Sequence, residues 1–108
     1  MSEGAASKID VYETNRFTKA LERLSESALQ GVEDEIERII EDPTIGEQKK
    51  GDLNYMRVHK FKVDSGLVLL GYSWVEQKLE LYLLSIGSHE NFYREAKTTR
   101  KADLKLMK

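Results

Sequence analysis

No cysteine occurs in the 108 residues, which excludes disulfides and thiolate chemistry. Two histidines are too few to build a metal site on imidazole, although carboxylate sites stay open; neither a metal nor a cofactor is expected. No apolar run approaches the roughly 20 residues of a membrane span. The N-terminus lacks the basic-then-apolar pattern of an export signal. A cytoplasmic protein without membrane association is the resulting expectation. Internal repeats and low-complexity tracts are missing as well, so one domain is expected over residues 9–108. It is preceded by a small, polar segment, residues 1–8, read as disordered.

What the chain does contain is charge, 33% of it, beside 40% apolar residues. The formal net charge of −2 hides an asymmetry. Residues 1–46 hold 5 Lys/Arg against 11 Asp/Glu, whereas residues 47–108 hold 12 against 8. An acidic first half joined to a basic second half suggests two faces with different tasks.

Ile9–Tyr12 alternates and suits a short first strand. Thr14 or Asn15 is placed to cap a helix whose apolar positions are Phe17, Ala20, Leu21 and Leu24. Ser25–Ser27 interrupts, and either serine suits a second cap. Leu29, Val32, Ile36, Ile39 and Ile40 give the second stripe, with Ile36 and Ile40 expected against a sheet. Pro43, the single proline, stops that helix. Residues 44–54 read as a loop. Three strands follow within Met56–Gly87, separated by Asp64-Ser65-Gly66, where Gly66 is the residue suited to a positive φ, and by Glu76-Gln77. The middle strand, Leu67–Trp74, is apolar on both faces, as a covered central strand should be. Residues 89–108 are polar and basic and read as a weakly anchored helix. The order β-α-α-β-β-β-α makes an α+β domain: a small antiparallel sheet with an N-terminal helical hairpin packed on one face.

Four stretches carry a resemblance: IDVYETNRFTKALERL near the start, KGDL at Lys50–Leu53, RVHKFKV at residues 57–63 and IGSHENFYREAK at residues 86–97. Together they resemble the RelE/ParE superfamily of toxins from bacterial toxin–antitoxin pairs, over residues 9–97. The resemblance implies the same layered fold with an open basic face opposite the hairpin, and a cognate antitoxin as partner. It implies one of two activities. RelE-like members are ribosome-dependent endoribonucleases cutting mRNA in the A site without metal, whereas ParE-like members inhibit DNA gyrase. An inactivated member retaining only antitoxin binding is a further alternative.

Metal-free RNA cleavage needs a base for the 2′-OH, cations for the charge on phosphate and an acid for the leaving 5′ oxygen. Lys60 and Lys62, at i and i+2 of a strand, point the same way. They resemble the lysines of RelE-like toxins, with phosphate stabilisation or base catalysis as the implied role; a solvated strand face is the plain alternative. His89, just after the last strand, resembles a proton-transferring histidine of the family, and imidazole chemistry suits that role near neutral pH. A capping or surface histidine is the alternative. Tyr93 shares its helix face and resembles an aromatic that stacks on a base or donates a proton, the alternative being helix packing. Arg57, Arg94, Lys49 and Lys50 are candidates for RNA phosphate. His59 reads as a satisfied, partly buried side chain. The chain departs from the RelE-like pattern where Val68 or Leu69 occupies the place of an active-site arginine, and in its overall acidity.

Overall fold

A computed structural model describes residues 8–107, so the expected disordered segment lies, apart from Lys8, outside the described residues. Five strands and three α-helices follow in the order β1 (Asp10–Glu13), α1 (Asn15–Glu22), α2 (Glu26–Glu41), β2 (Glu47–Gln48), β3 (Arg57–Val63), β4 (Gly66–Val75), β5 (Glu80–Gly87) and α3 (His89–Leu106). Single 3-10 turns occupy Gly51–Leu53 and Glu76–Lys78. Thr14 and Ser25 are the residues that cap. Their hydroxyl oxygens accept the N–H of Phe17 at 3.1 Å and of Ala28 at 3.2 Å, each cap being worth about 1 kcal/mol.

The sheet runs β1-β5-β4-β3-β2. The meander β3-β4-β5 is antiparallel as expected, but β1 lies parallel to β5 from Asp10↔Glu80 to Glu13↔Leu83, so the sheet is mixed rather than antiparallel. The reason is connectivity. Tight turns force antiparallel neighbours, whereas β1 is separated from the meander by a helical hairpin that permits either direction. The stretch expected as a loop also contains a strand, since β2 pairs with β3 through Glu47↔Val58 and Gln48↔Arg57.

Each sheet face carries its own core. Beneath α1 and α2 lie Phe17, Ile39, Leu70, Tyr72, Leu81 and Leu83, and beneath α3 lie Met56, Val58, Leu69, Leu84, Phe92 and Ala96. Ile39 and Val32 are the buried residues of the α2 stripe, with Ile36 and Ile40 only partly covered. The face opposite the hairpin is therefore not open along its length. Nor is α3 weakly anchored. Phe92 seats over Gly71, where a Cβ would come within 2.6 Å of its ring. Arg100 Nε donates to the Asp52 carbonyl at 2.7 Å. Asp103, 2% exposed, receives the Arg16 guanidinium on both oxygens at 3.0 and 2.7 Å.

The β3–β4 turn departs from expectation. Positive φ falls on Asp64 (51°) and Ser65 (72°) rather than on Gly66. Two left-handed residues between paired strands match the twist of a hairpin, and glycine is the favoured second residue there. Ser65→Gly should raise stability by about 0.5–1 kcal/mol, relief of left-handed strain outweighing the entropy of a freer unfolded chain. Denaturant unfolding checks this, and a loss of stability would contradict the strain assignment.

Candidate active site

Alternation along β3 sends Val58, Lys60 and Lys62 to the face that carries α3, and the pairing Glu47↔Val58 brings Glu47 to the same face. Helix α3 covers Val58 and Leu69 but leaves Lys60 and Lys62 exposed. Lys62 lies farther along, opposite Leu67, which is also exposed. What remains beside the helix is a cleft with β2 and β3 as one wall and the first turn of α3 as the other.

The β2 wall is rigidly supported from below. The Tyr72 hydroxyl donates to the Pro43 carbonyl and accepts the Gly46 N–H, both at 2.8 Å. A Cβ at Gly46 would meet the same hydroxyl at 2.8 Å, so glycine is required there. Arg57 Nη1 donates to the carbonyls of Thr44 at 3.1 Å and Gly46 at 2.8 Å. These contacts set the backbone immediately before Glu47. The Lys49 backbone N–H then bonds the Met56 carbonyl at 3.0 Å, so Lys49 stands on ordered backbone rather than in a structureless loop.

Glu47 and Lys49, two residues apart, are joined Oε1 to Nζ at 3.0 Å. The Lys49 ammonium also sits 5.3 Å from the Tyr93 ring centroid, a cation–π distance. His89 meets Tyr93 edge-on with centroids 5.9 Å apart. Glu47, Lys49, Tyr93 and His89 thus form a chain of contacts across the cleft, with Lys60 and Lys50 close enough to act on Glu47 electrostatically. The hydrogen bond from Lys49, its charge, and then the charges of Lys60 and Lys50 hold the Glu47 carboxyl below its ordinary value. The bond to Glu47 in turn raises Lys49, against partial desolvation.

Of the residues read from the sequence, Lys49, Lys50, Lys60, Tyr93 and His89 are gathered around this cleft, and Lys62 extends it along β3. Arg57 is not among them. Its guanidinium is committed to backbone carbonyls, and its side chain lies on the hairpin face opposite Tyr72. Arg94 is exposed and bonds Asn91 on its own helix. His59 Nε2 meets Glu35 Oε1 at 2.7 Å and joins β3 to α2. Tyr93 also packs on the core below α3 while its ring faces Lys49. Glu47 was missed by sequence reading. The signal was available in the i, i+2 spacing of Glu47 and Lys49, which puts opposite charges on one side of an extended segment. Among the described residues no three His, Asp or Glu side chains form a metal-binding group, and no helix is long and apolar enough to cross a membrane.

The contacts predict the titration of Glu47. Its carboxyl should protonate at a pH below the ordinary value of 4.5. A depressed carboxylate contributes stability present above the unfolded value and lost as pH falls through the folded one. In Lys49→Ala the midpoint should move back toward 4.5. Carbon-detected NMR of the Glu47 carboxyl measures both, and an unchanged midpoint in the variant would remove Lys49 as the cause.

The fold recurs in solved bacterial proteins, two of them structures of a toxin. An arginine-to-alanine double mutant of the E. coli toxin RelE, in the free state, superposes with a TM-score of 0.65 at 20% identity, covering 84% of this chain and 96% of that one. RelE in the intact E. coli RelBE toxin–antitoxin complex gives 0.61 at 19% identity, covering 74% and 95%. The conserved hypothetical protein HP0894 from Helicobacter pylori gives 0.52 at 27% identity, covering 76% and 96%. No curated protein matches the sequence. Residues 11–97 match the family model of the ParE-like toxin of type II bacterial toxin–antitoxin systems. With that match covering most of the chain on a RelE-like α+β fold, the chain belongs to the ParE-like toxin family of type II toxin–antitoxin systems, within the RelE/ParE superfamily.

Proposed function

We propose that this toxin is a ribosome-dependent endoribonuclease that cuts mRNA in the A site, using the cleft between β2–β3 and the first turn of α3. The observation that carries the reading is the convergence of a carboxylate, several lysines, a histidine and a tyrosine on one exposed surface. Glu47, the carboxylate bonded to Lys49 on this surface, is the acceptor for the 2′-OH proton. Lys49, Lys60 and Lys62 stabilise the charge that gathers on phosphate as the 2′ oxygen attacks. The N-terminal end of α3, whose Ser88 makes no side-chain cap, adds a partial positive charge to the same region. His89, the first residue of that helix, protonates the departing 5′ oxygen. Tyr93 offers its ring to a base and its hydroxyl as a second donor. Because lysines supply the positive charge, none of these steps calls for a metal.

In vitro translation of a defined mRNA, with mapping of new 5′ ends, tests the reading. Wild type should cut only when ribosomes are present, and His89→Ala should lower cutting by about 10²–10⁴-fold, the usual contribution of a proton-transfer group. Glu47→Gln and Lys60→Ala/Lys62→Ala should be similarly weak. Intact mRNA with uninhibited translation would sink the nuclease reading. Inhibition of gyrase supercoiling would then support a ParE-like activity, which the apolar Val68 and Leu69 on β4 also favour.

We also infer a cognate antitoxin. RelE is similar in fold and is seen in complex with antitoxin RelB and with a RelB peptide. An acidic antitoxin segment that folds on binding would be drawn to the exposed Lys60 and Lys62 and exclude RNA from the cleft. Lys60→Ala/Lys62→Ala should weaken antitoxin binding, most of all at low salt, when measured by calorimetry. Equal affinity for both forms would show that those charges play no part.

A further inference from the structure

Lys49 holds two places at once. Its ammonium is bonded to Glu47 Oε1 at 3.0 Å and lies 5.3 Å from the centroid of the Tyr93 ring. Both partners are groups that RNA chemistry in the cleft needs free. Glu47 is to accept a proton, yet one of its two oxygens carries the hydrogen bond from the ammonium. Tyr93 is to stack on a base, yet stacked rings lie about 4.5–7 Å apart, centre to centre, which is the layer that the ammonium fills. The rest of the ring is taken as well, since Tyr93 packs on the core below α3 and meets Phe92 edge-on. One lysine thus closes the cleft on itself.

The hold is of a kind that a ligand can undo. The Glu47 side chain is 67% exposed and that of Lys49 24%, and exposed ion pairs and exposed cation–π contacts are both weak. Release needs no backbone movement. The Lys49 backbone N–H stays on the Met56 carbonyl at 3.0 Å while the flexible four-carbon stem swings.

The chemistry of the contacts decides what can release it. A neutral base gives the ammonium no anion to take the place of Glu47. A phosphodiester matches the carboxylate in charge, and Lys60, close enough to act on Glu47 through its own charge, draws a phosphate to this side of the cleft. When Lys49 turns to that phosphate, the Tyr93 ring and the Glu47 carboxylate are bared in one motion. Glu47 then regains the proton affinity that the lysine had lowered. The order that follows is phosphate first and base second.

We propose that Lys49 is a specificity-determining residue of the cleft, a latch across Glu47 and Tyr93 that a backbone phosphate releases. Bases are then admitted as parts of a charged strand and not as neutral rings. The proposal deepens, and rests on, the reading of the cleft as an RNA site. It holds whichever group then moves the proton.

The test is an NMR titration of the full chain that follows the Tyr93 ring resonances. The probes are a 2′-O-methyl uridylate tetramer, which has no 2′-OH and cannot be cut, and the same tetramer with uncharged methylphosphonate linkages. In wild type the charged tetramer should shift the ring and the uncharged one should bind weakly. In Lys49→Ala the uncharged tetramer should gain affinity by about tenfold, the combined strength of the two contacts released. Lys49→Arg should keep the wild-type preference. A lysine that merely supplied charge would leave affinity for the uncharged tetramer unchanged in Lys49→Ala, and that result overturns the proposal. So would equal Tyr93 shifts from both tetramers in wild type. Failure of the RNA reading itself looks different: the charged tetramer would then move no cleft resonance in any form of the protein, and the latch would fall with it.

Discussion

The seating of α3 depends on the pair formed by Arg16 and Asp103. A carboxylate withdrawn from water costs several kcal/mol unless a cation meets it in good geometry. Asp103 is 2% exposed and takes both guanidinium nitrogens, with the Thr99 hydroxyl as a third donor at 3.2 Å. Arg16 is itself held by Ser85 through Nε and Nη2 at 3.1 and 2.8 Å. The helix can therefore rotate or slide only by leaving a buried charge unmatched. Toward its other end, the missing side chain of Gly71 lets Phe92 come down onto the sheet. Phe92 and Asp103 are eleven residues, about 16 Å, apart along the helix. Two contacts at that separation set its direction as well as its height, and so place His89 and Tyr93 at the cleft. An apolar pair in place of Arg16 and Asp103 could match the stability, but it would specify the seating less sharply.

The other wall is set by an equally indirect route. Glu47 makes no contact with the core, yet its position follows from Tyr72, which is fully buried, through the hydroxyl that bonds Pro43 and Gly46. Burial raises the pKa of that hydroxyl, which keeps it protonated and able to donate to the Pro43 carbonyl. Arg57 completes the arrangement from the hairpin side of the sheet. A residue read as a phosphate ligand thus reaches the cleft only through the backbone it holds. Both walls are built on strand and helix, the elements that hold side chains more precisely than loops do.

How far the sequence could disclose this follows from the range of the interactions. Periodicity located the meander and the first two helices because each pattern repeats within its own element, whereas the third was read from its polar, basic composition. The Lys60–Lys62 pair was visible for the same reason, since alternation needs only neighbours. A strand of two residues has no period, so β2 and with it Glu47 were lost in an apparent loop. The parallel placement of β1 was equally hidden, because no local pattern encodes direction. Arg16 and Asp103 are 87 positions apart, and nothing in either stretch points to the other. At the β3–β4 turn the rule that glycine takes the positive φ misled. Register placed Gly66 inside β4 opposite Val63, which left the left-handed positions to Asp64 and Ser65.

The acidity that sets this chain apart from a typical RNA-binding protein loses its force once the layers are known. The exposed carboxylates of α2, among them Glu33, Asp34, Glu37 and Glu41, lie on the hairpin side, whereas Lys60 and Lys62 project from the opposite face of the sheet. At physiological ionic strength the Debye length is about 8 Å, and stacked layers are separated by about 10 Å. A polyanion at the cleft is therefore governed by the lysines and Glu47 far more than by the formal total of −2. The same screening limits what the lysines can do alone. An ammonium is a compact, strongly hydrated charge without the planar fork of an arginine, so it neutralises phosphate without orienting it. Orientation then has to come from the rigid groups beside the lysines, Tyr93 and the end of α3, which makes the seating of that helix a condition of any chemistry in the cleft.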